Sequence, residues 1–136
     1  MIGVAPESWL YAVKVLDRQG VGYTSDVIEG LDWCISKGIH VANMSLGSAS
    51  GSQSLHDGII RAFNAGIILV AAAGNSGPSE NTVEYPAAYA EVIAVSATDR
   101  NDYIASFSSR GPEVELAAPG VDVLSTYIGG GYRYGS

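Results

Sequence analysis

IILVAAAGNSGP, residues 67–78, runs seven apolar residues straight into Gly74-Asn75-Ser76-Gly77-Pro78. A strand covered on both faces reads as such an unbroken apolar run, because neither side of its pleat meets water. Two similar runs precede it, over residues 10–16 and 39–46, and residues 92–97 form a fourth. Between the first two, Thr24 or Ser25 can cap a helix that places Val27, Ile28, Leu31, Cys34 and Ile35 on one face, with Lys37 and Gly38 ending it. Between the second and third, Ser54 with Asp57 resembles a capping box opening a helix through Leu55, Ile59, Ala62 and Phe63, closed by Gly66. Strands alternating with helices across short turns predict an α/β fold, a mostly parallel sheet with right-handed crossovers. Beyond residue 97 the pattern shortens into Ser-, Gly- and Pro-punctuated segments, residues 115–118 and 121–126. A Gly129-Gly130-Gly131 turn then predicts a C-terminal β-hairpin.

In an open parallel sheet, ligands bind beyond the carboxyl ends of the strands, where Gly47, Gly74 and the loops after them fall. Asn75 therefore stands at the expected functional edge. Its amide offers two N–H donors without charge, suited to a developing oxyanion, and Gly74 permits a backbone approach that a side chain would block. Taken alone, Gly-Asn-Ser-Gly also reads as a plain turn, since these residues favour turns for local reasons.

Composition narrows the classes. The chain has 136 residues, 47% hydrophobic and 15% charged, enough for one domain with a buried core. Fourteen acidic against seven basic residues give a net charge of −7. With no Lys/Arg cluster, neither nucleic acid nor an anionic membrane is an expected partner. No apolar run approaches the roughly 20 residues of a membrane span, and the start, MIGVAPESWL, lacks the basic opening of a secretory signal. Cys34 sits in a helical pattern between Leu31 and Ile35 and reads as a core thiol. No GxGxxG or GxxxxGK loop follows a strand, which removes nucleotide binding.

Further motifs accompany the opening stretch: GVAP at 3–6, VANMSLG at 41–47, YPAAY at 85–89, VIAVSATD at 92–99, ASFSSRGPEVELAAPG at 105–120 and LST at 124–126. In this order and spacing the chain resembles the subtilisin-like serine proteases (peptidase S8) over its whole length. The resemblance implies a subtilisin-like sheet flanked by helices, with residues 1–136 forming part of the catalytic domain. It also implies an extracellular protein that acts on peptide or protein substrates, with an inhibitory propeptide as a further partner.

The departures matter equally. The family's catalytic order is Asp, His, Ser, and neither an HGTHVAG-like block nor a GTSMA block is present. The stretch matches the interval between histidine and nucleophile, so the chain by itself is expected to be inactive. His40 and His56 fall outside the family's catalytic position, and Ser76, Ser108, Ser109 and Ser136 stand in no nucleophile motif.

By the resemblance, Asn75 is the oxyanion-hole donor. Ser45, Leu46 and Gly47 pair with the substrate backbone as a strand, with Gly20, Val21 and Gly22 on its other side. Ala72, Ala73 and Gly74 line the first specificity pocket, and Glu84 lies at its floor, a place for a basic substrate side chain. Alternatively, Glu84 turns to solvent or holds a cation. The chemistry needs no cofactor, although carbonyls of Ala87, Tyr89 and Val92, assisted by Glu113 or Glu115, can bind structural Ca²⁺ or a monovalent cation. Asp26, Glu29, Asp32 and Asp57 read as helix-surface or capping carboxylates. A non-catalytic α/β module binding peptides through Ser45 to Gly47 is the competing class, separated by whether the flanking sequence carries the triad blocks.

Overall fold

The computed structural model describes residues 4–136, so Gly3 of the GVAP motif lies outside the described residues. In chain order the elements are α1 (Thr24–Ser36), β1 (Val41–Met44), α2 (Gln53–Asn64), β2 (Ile68–Ala72), β3 (Val92–Thr98), β4 (Val114–Pro119), β5 (Val123–Thr126) and β6 (Tyr132–Gly135). β1 to β4 form a parallel sheet in sequence order, and β5 and β6 form a separate antiparallel pair. The expected parallel sheet and terminal hairpin are both present.

The sheet face carrying Met44, Leu69, Ala71, Val92 and Ala94 packs with Leu31 and Cys34 of α1 and Leu55, Ile59 and Ala62 of α2. Both helices thus cover one face, and their apolar stripes are what hold them there. Gly38 (φ +63°) and Gly66 (φ +87°) end the helices in the left-handed conformation that glycine adopts without steric cost.

Three local expectations are corrected. Residues 10–16 join no strand ladder, and a cleft of about 1010 Å³ is lined by this run together with α1 and β1. Apolar content alone does not make a strand, which needs a partner's hydrogen bonds. The N-cap of α1 is Tyr23, not Thr24 or Ser25, because the Asp26 carboxylate reaches back to accept from the Tyr23 N–H at 3.3 Å. The N-cap of α2 is Ser52, whose Oγ accepts from the Leu55 N–H at 3.2 Å. The cap therefore lies two residues before Ser54.

The second face of the sheet differs most from the two-sided burial that the apolar runs suggest. By register, Val41, Ile68, Val70, Ile93, Val95 and Leu116 share that face, and Val41, Ile68 and Leu116 are 53%, 53% and 57% exposed. An apolar sheet face and an unpaired β1 edge favour association. Expressed alone, the chain is expected to self-associate and to bind a hydrophobic dye such as ANS. A monomer in sedimentation with sharp cooperative unfolding and no dye binding would contradict this reading.

Candidate functional site

The ends of β1 and β2 meet a third segment. Ser48 and Tyr85 exchange main-chain hydrogen bonds, both at 2.9 Å, and the Glu84 N–H donates to the Ala73 carbonyl at 2.8 Å. Residues 84 and 85 are thereby stitched to the exits of both strands. The Glu84 side chain falls between Gly47 and Gly74. A Cβ on Gly74 would stand 2.6 Å from Glu84 Cδ, and one on Gly47 would collide with Glu84 Oε2. Gly74 also takes φ +113°, so glycine is required there for backbone and for space. Glu84 Oε1 accepts from Ser76 Oγ at 2.9 Å, leaving Oε2 on the Gly47 side. The half-buried carboxylate therefore points inward between the two strand exits.

Asn75 follows Gly74 and is exposed just past the carboxyl end of β2. Of the expected neighbours, Ala73 is buried, Gly74 half-buried, and Ala72 exposed on the uncovered face. Ser45 and Gly47 are exposed and Leu46 is half-buried. Ser45 Oγ accepts from Asn43 Nδ2 at 3.1 Å, ordering the chain as it leaves β1.

Gly20, Val21 and Gly22 form an exposed arm built by Asp17. The Asp17 N–H donates to the Val21 carbonyl at 2.8 Å, and Asp17 Oδ1 accepts from the N–H groups of Gln19 at 2.9 Å and Val21 at 3.0 Å. Gly22 runs flush against Val15, since a Cβ there would strike the Val15 carbonyl. Sequence reasoning missed Asp17, although an Asp three residues before a glycine in a turn is a recognisable local signal. The hydrogen bond from Val21, with that from Gln19 and the nearby Lys14 charge, holds its carboxyl below the usual carboxylate value.

The remaining candidates are dispersed. His56 Nε2 lies 3.0 Å from Glu91 Oε2 and its ring stacks on Tyr89 at 4.3 Å. Tyr89 OH in turn accepts from the Ser52 N–H at 3.1 Å and donates to the Ser52 carbonyl at 3.0 Å, so this cluster fastens the YPAAY turn to α2. Asp32 pairs with Arg61 between the helices at 3.0 Å, a solvent-exposed bridge. Burial pushes the Cys34 thiol up, which favours its protonated form. Among the described residues no three His, Cys, Asp or Glu side chains cluster as a metal site.

The sequence pattern of the subtilase family matches residues 1–135. The chain belongs to the subtilase family. It is 54% identical over 132 residues to a thermostable alkaline protease of Halalkalibacterium halodurans, covering 97% of this chain and 36% of that protein. It is 48% identical over 134 residues to the minor extracellular protease Epr of Bacillus subtilis, covering 98% and 21% respectively. Its fold matches the solved structure of sphericase with a TM-score of 0.89 at 36% identity, over 98% of this chain and 50% of that one. This chain thus spans half or less of the subtilases it matches here, and the expected subtilisin-like architecture is present.

The Asp17 turn makes a pH prediction. Its hydrogen bonds to N–H groups are at full strength above the usual carboxylate pKa and weaken as pH falls through the lowered folded value. In a pH series followed by NMR, the Gln19 and Val21 amide signals are expected to move together, with a midpoint below 3.8. A midpoint at or above that value would show that the carboxylate does not hold the arm.

Proposed function

We propose that this chain is the substrate-binding and oxyanion-donating part of a secreted subtilisin-like serine endopeptidase, with the catalytic Asp, His and Ser supplied by flanking sequence. The observation that carries the proposal is the joint placement of Asn75 and Glu84 where β1 and β2 exit the sheet. In acyl transfer, attack on the scissile carbonyl moves charge onto its oxygen, and a fixed, uncharged donor lowers the barrier without paying for reorganisation at that moment. Asn75 has the exposure and the chemistry for this role. The exposed main chain of Ser45 to Gly47 and of Gly20 to Gly22 offers edges to which an extended peptide adds as a strand.

Glu84 sets the preference of the first pocket. Its carboxylate lies inward beneath Gly47 and Gly74, with one oxygen held by Ser76 and the other oxygen on the Gly47 side. A Lys or Arg side chain entering past the small residues Ala73 and Gly74 lays its stem on apolar surface and brings its charge to that oxygen. Glu84 is half-buried and water-accessible, so such a pair contributes about 1 kcal/mol, or roughly fivefold in relative kcat/KM.

The cleft between residues 10–16 and β1 supports the same reading: it receives an additional strand from the flanking sequence, which the family resemblance makes the bearer of the Asp. A structural cation belongs to the YPAAY turn, held by carbonyls of Ala87, Tyr89 and Val92. The Tyr89 carbonyl already accepts from the Val92 N–H at 3.1 Å and keeps a second lone pair for an ion.

The test uses the complete protease carrying this segment. Asn75→Ala is expected to lower kcat by about 10² to 10³, the size measured for this donor in the family, with KM little changed. Glu84→Gly is expected to lower the Lys-to-Leu ratio of kcat/KM about fivefold on peptides differing only before the cleaved bond. An unchanged ratio excludes Glu84 from the pocket, and an unchanged kcat in Asn75→Ala excludes the oxyanion role. The 136-residue chain alone is expected to show no hydrolysis of an activated peptide ester, and a signal abolished by a serine-directed phosphonate would overturn the assignment of the triad to flanking sequence.

A further inference from the structure

We infer that Ser109 is a positioning residue for the oxyanion donor, gripping the main chain on both sides of Asn75; this rests on the reading of Asn75 given above. Ser109 is 0% exposed and lies 34 positions along the chain from the residue it would serve. Its N–H donates to the Gly74 carbonyl at 2.9 Å, and its Oγ accepts from the Ser76 N–H at 3.0 Å. The Gly74 carbonyl belongs to the peptide unit entering Asn75, and the Ser76 N–H belongs to the unit leaving it. With both peptide planes tied to one buried residue, the direction of the Asn75 Cα–Cβ bond is fixed although the side chain itself is exposed.

The surroundings reinforce the grip. On one side the Ala73 N–H donates to the Val95 carbonyl at 2.9 Å, and on the other the Gly77 N–H donates to the Phe107 carbonyl at 2.9 Å. Between these anchors, residues 74–76 are held by Ser109. A donor aimed at a developing charge must keep its place to within about 0.5 Å, and a misplacement of about 1 Å costs up to roughly a hundredfold in rate. Without the Ser109 hydroxyl, the Gly74 bond remains but the peptide leaving Asn75 loses its direct tie and is restrained only through the Ser76 hydroxyl and the Gly77 bond to Phe107.

Ser108 provides the control that a merely structural role requires. It is equally buried, at 1% exposure, and its Oγ also accepts a main-chain bond, but from the Ala97 N–H in β3 at 2.9 Å. Its other contact, to the Ser109 carbonyl, is 3.5 Å, at the limit for a hydrogen bond. Loss of either hydroxyl leaves a main-chain N–H without its acceptor, and only Ser109 bonds the loop that carries Asn75.

The experiment is a double-mutant cycle in the Halalkalibacterium halodurans protease with this segment in place of its matching stretch. Ser109→Ala is expected to lower kcat about tenfold with KM within twofold, and Ser108→Ala to lower thermal stability with kcat within twofold. In an Asn75→Ala background, Ser109→Ala is expected to change kcat less than twofold, because the donor it orients is gone. An equal fall in kcat in both backgrounds, or no fall in the parent, overturns the positioning role. A kcat unmoved by Asn75→Ala alone instead overturns the oxyanion reading. Amide hydrogen exchange decides the matter independently of turnover: Ser109→Ala is expected to speed exchange at Ser76 at least tenfold while Ala97 stays protected, and unchanged exchange at Ser76 overturns the proposal.

Discussion

The site depends on one piece of main-chain pairing, the seating of Glu84 and Tyr85 across the ends of β1 and β2. The bonds Ser48 to Tyr85, Tyr85 to Ser48 and Glu84 to Ala73, all between 2.8 and 2.9 Å, extend the sheet by a short bridge where its parallel ladder ends. Side chains alternate along an extended segment, so fixing Glu84 in that bridge also fixes which way its carboxylate points. The two glycines follow as a consequence. Gly47 and Gly74 flank the carboxylate so closely that a Cβ on either would push the Glu84 side chain from its present position.

The same pairing separates the functional edge from the structural one. Beneath the sheet, α1 and α2 bury Leu69, Ala71, Val92 and Ala94, while at the strand exits the polar groups of Asn75, Ser76 and Glu84 remain accessible. The packed core holds the strand ends in place, and the loops that leave them carry the accessible polar groups, the division on which the proposed oxyanion role rests. The uncovered face with Val41, Ile68 and Leu116, together with the cleft beside β1, is a surface that the remainder of a subtilase domain is suited to cover.

Much of this was legible in the sequence. Continuous apolar runs at residues 39–46, 67–73 and 92–97 gave the parallel strands, and Gly38 and Gly66 marked the helix ends, because these are local signals of period and backbone freedom. The run at residues 10–16 misled because strand formation depends on a partner, which composition does not report. Ser54 resembles the cap of α2 in sequence because three serines and a glycine crowd residues 50–54, and only the φ/ψ of Ser52 decides which one faces the helix. Asn75 and Glu84 are proposed from the family resemblance, and their placement at the strand ends is a feature of the fold. The grip of Ser109 is not legible in the sequence, since it joins positions 33 residues apart and needs the fold to bring them together. Asp17 is a local signal, since the turn it caps lies within four residues of it in sequence.

The most direct measurement is a crystal structure of the complete protease bound to a peptide aldehyde that ends in lysine, whose hemiacetal oxygen stands where the oxyanion forms. The account predicts Asn75 Nδ2 within about 3 Å of that oxygen, the lysine ammonium within about 4 Å of Glu84 Oε2, and the peptide main chain paired with Ser45 to Gly47. An Asn75 amide turned away from the oxygen, with the lysine directed to solvent and Glu84 unengaged, would contradict it.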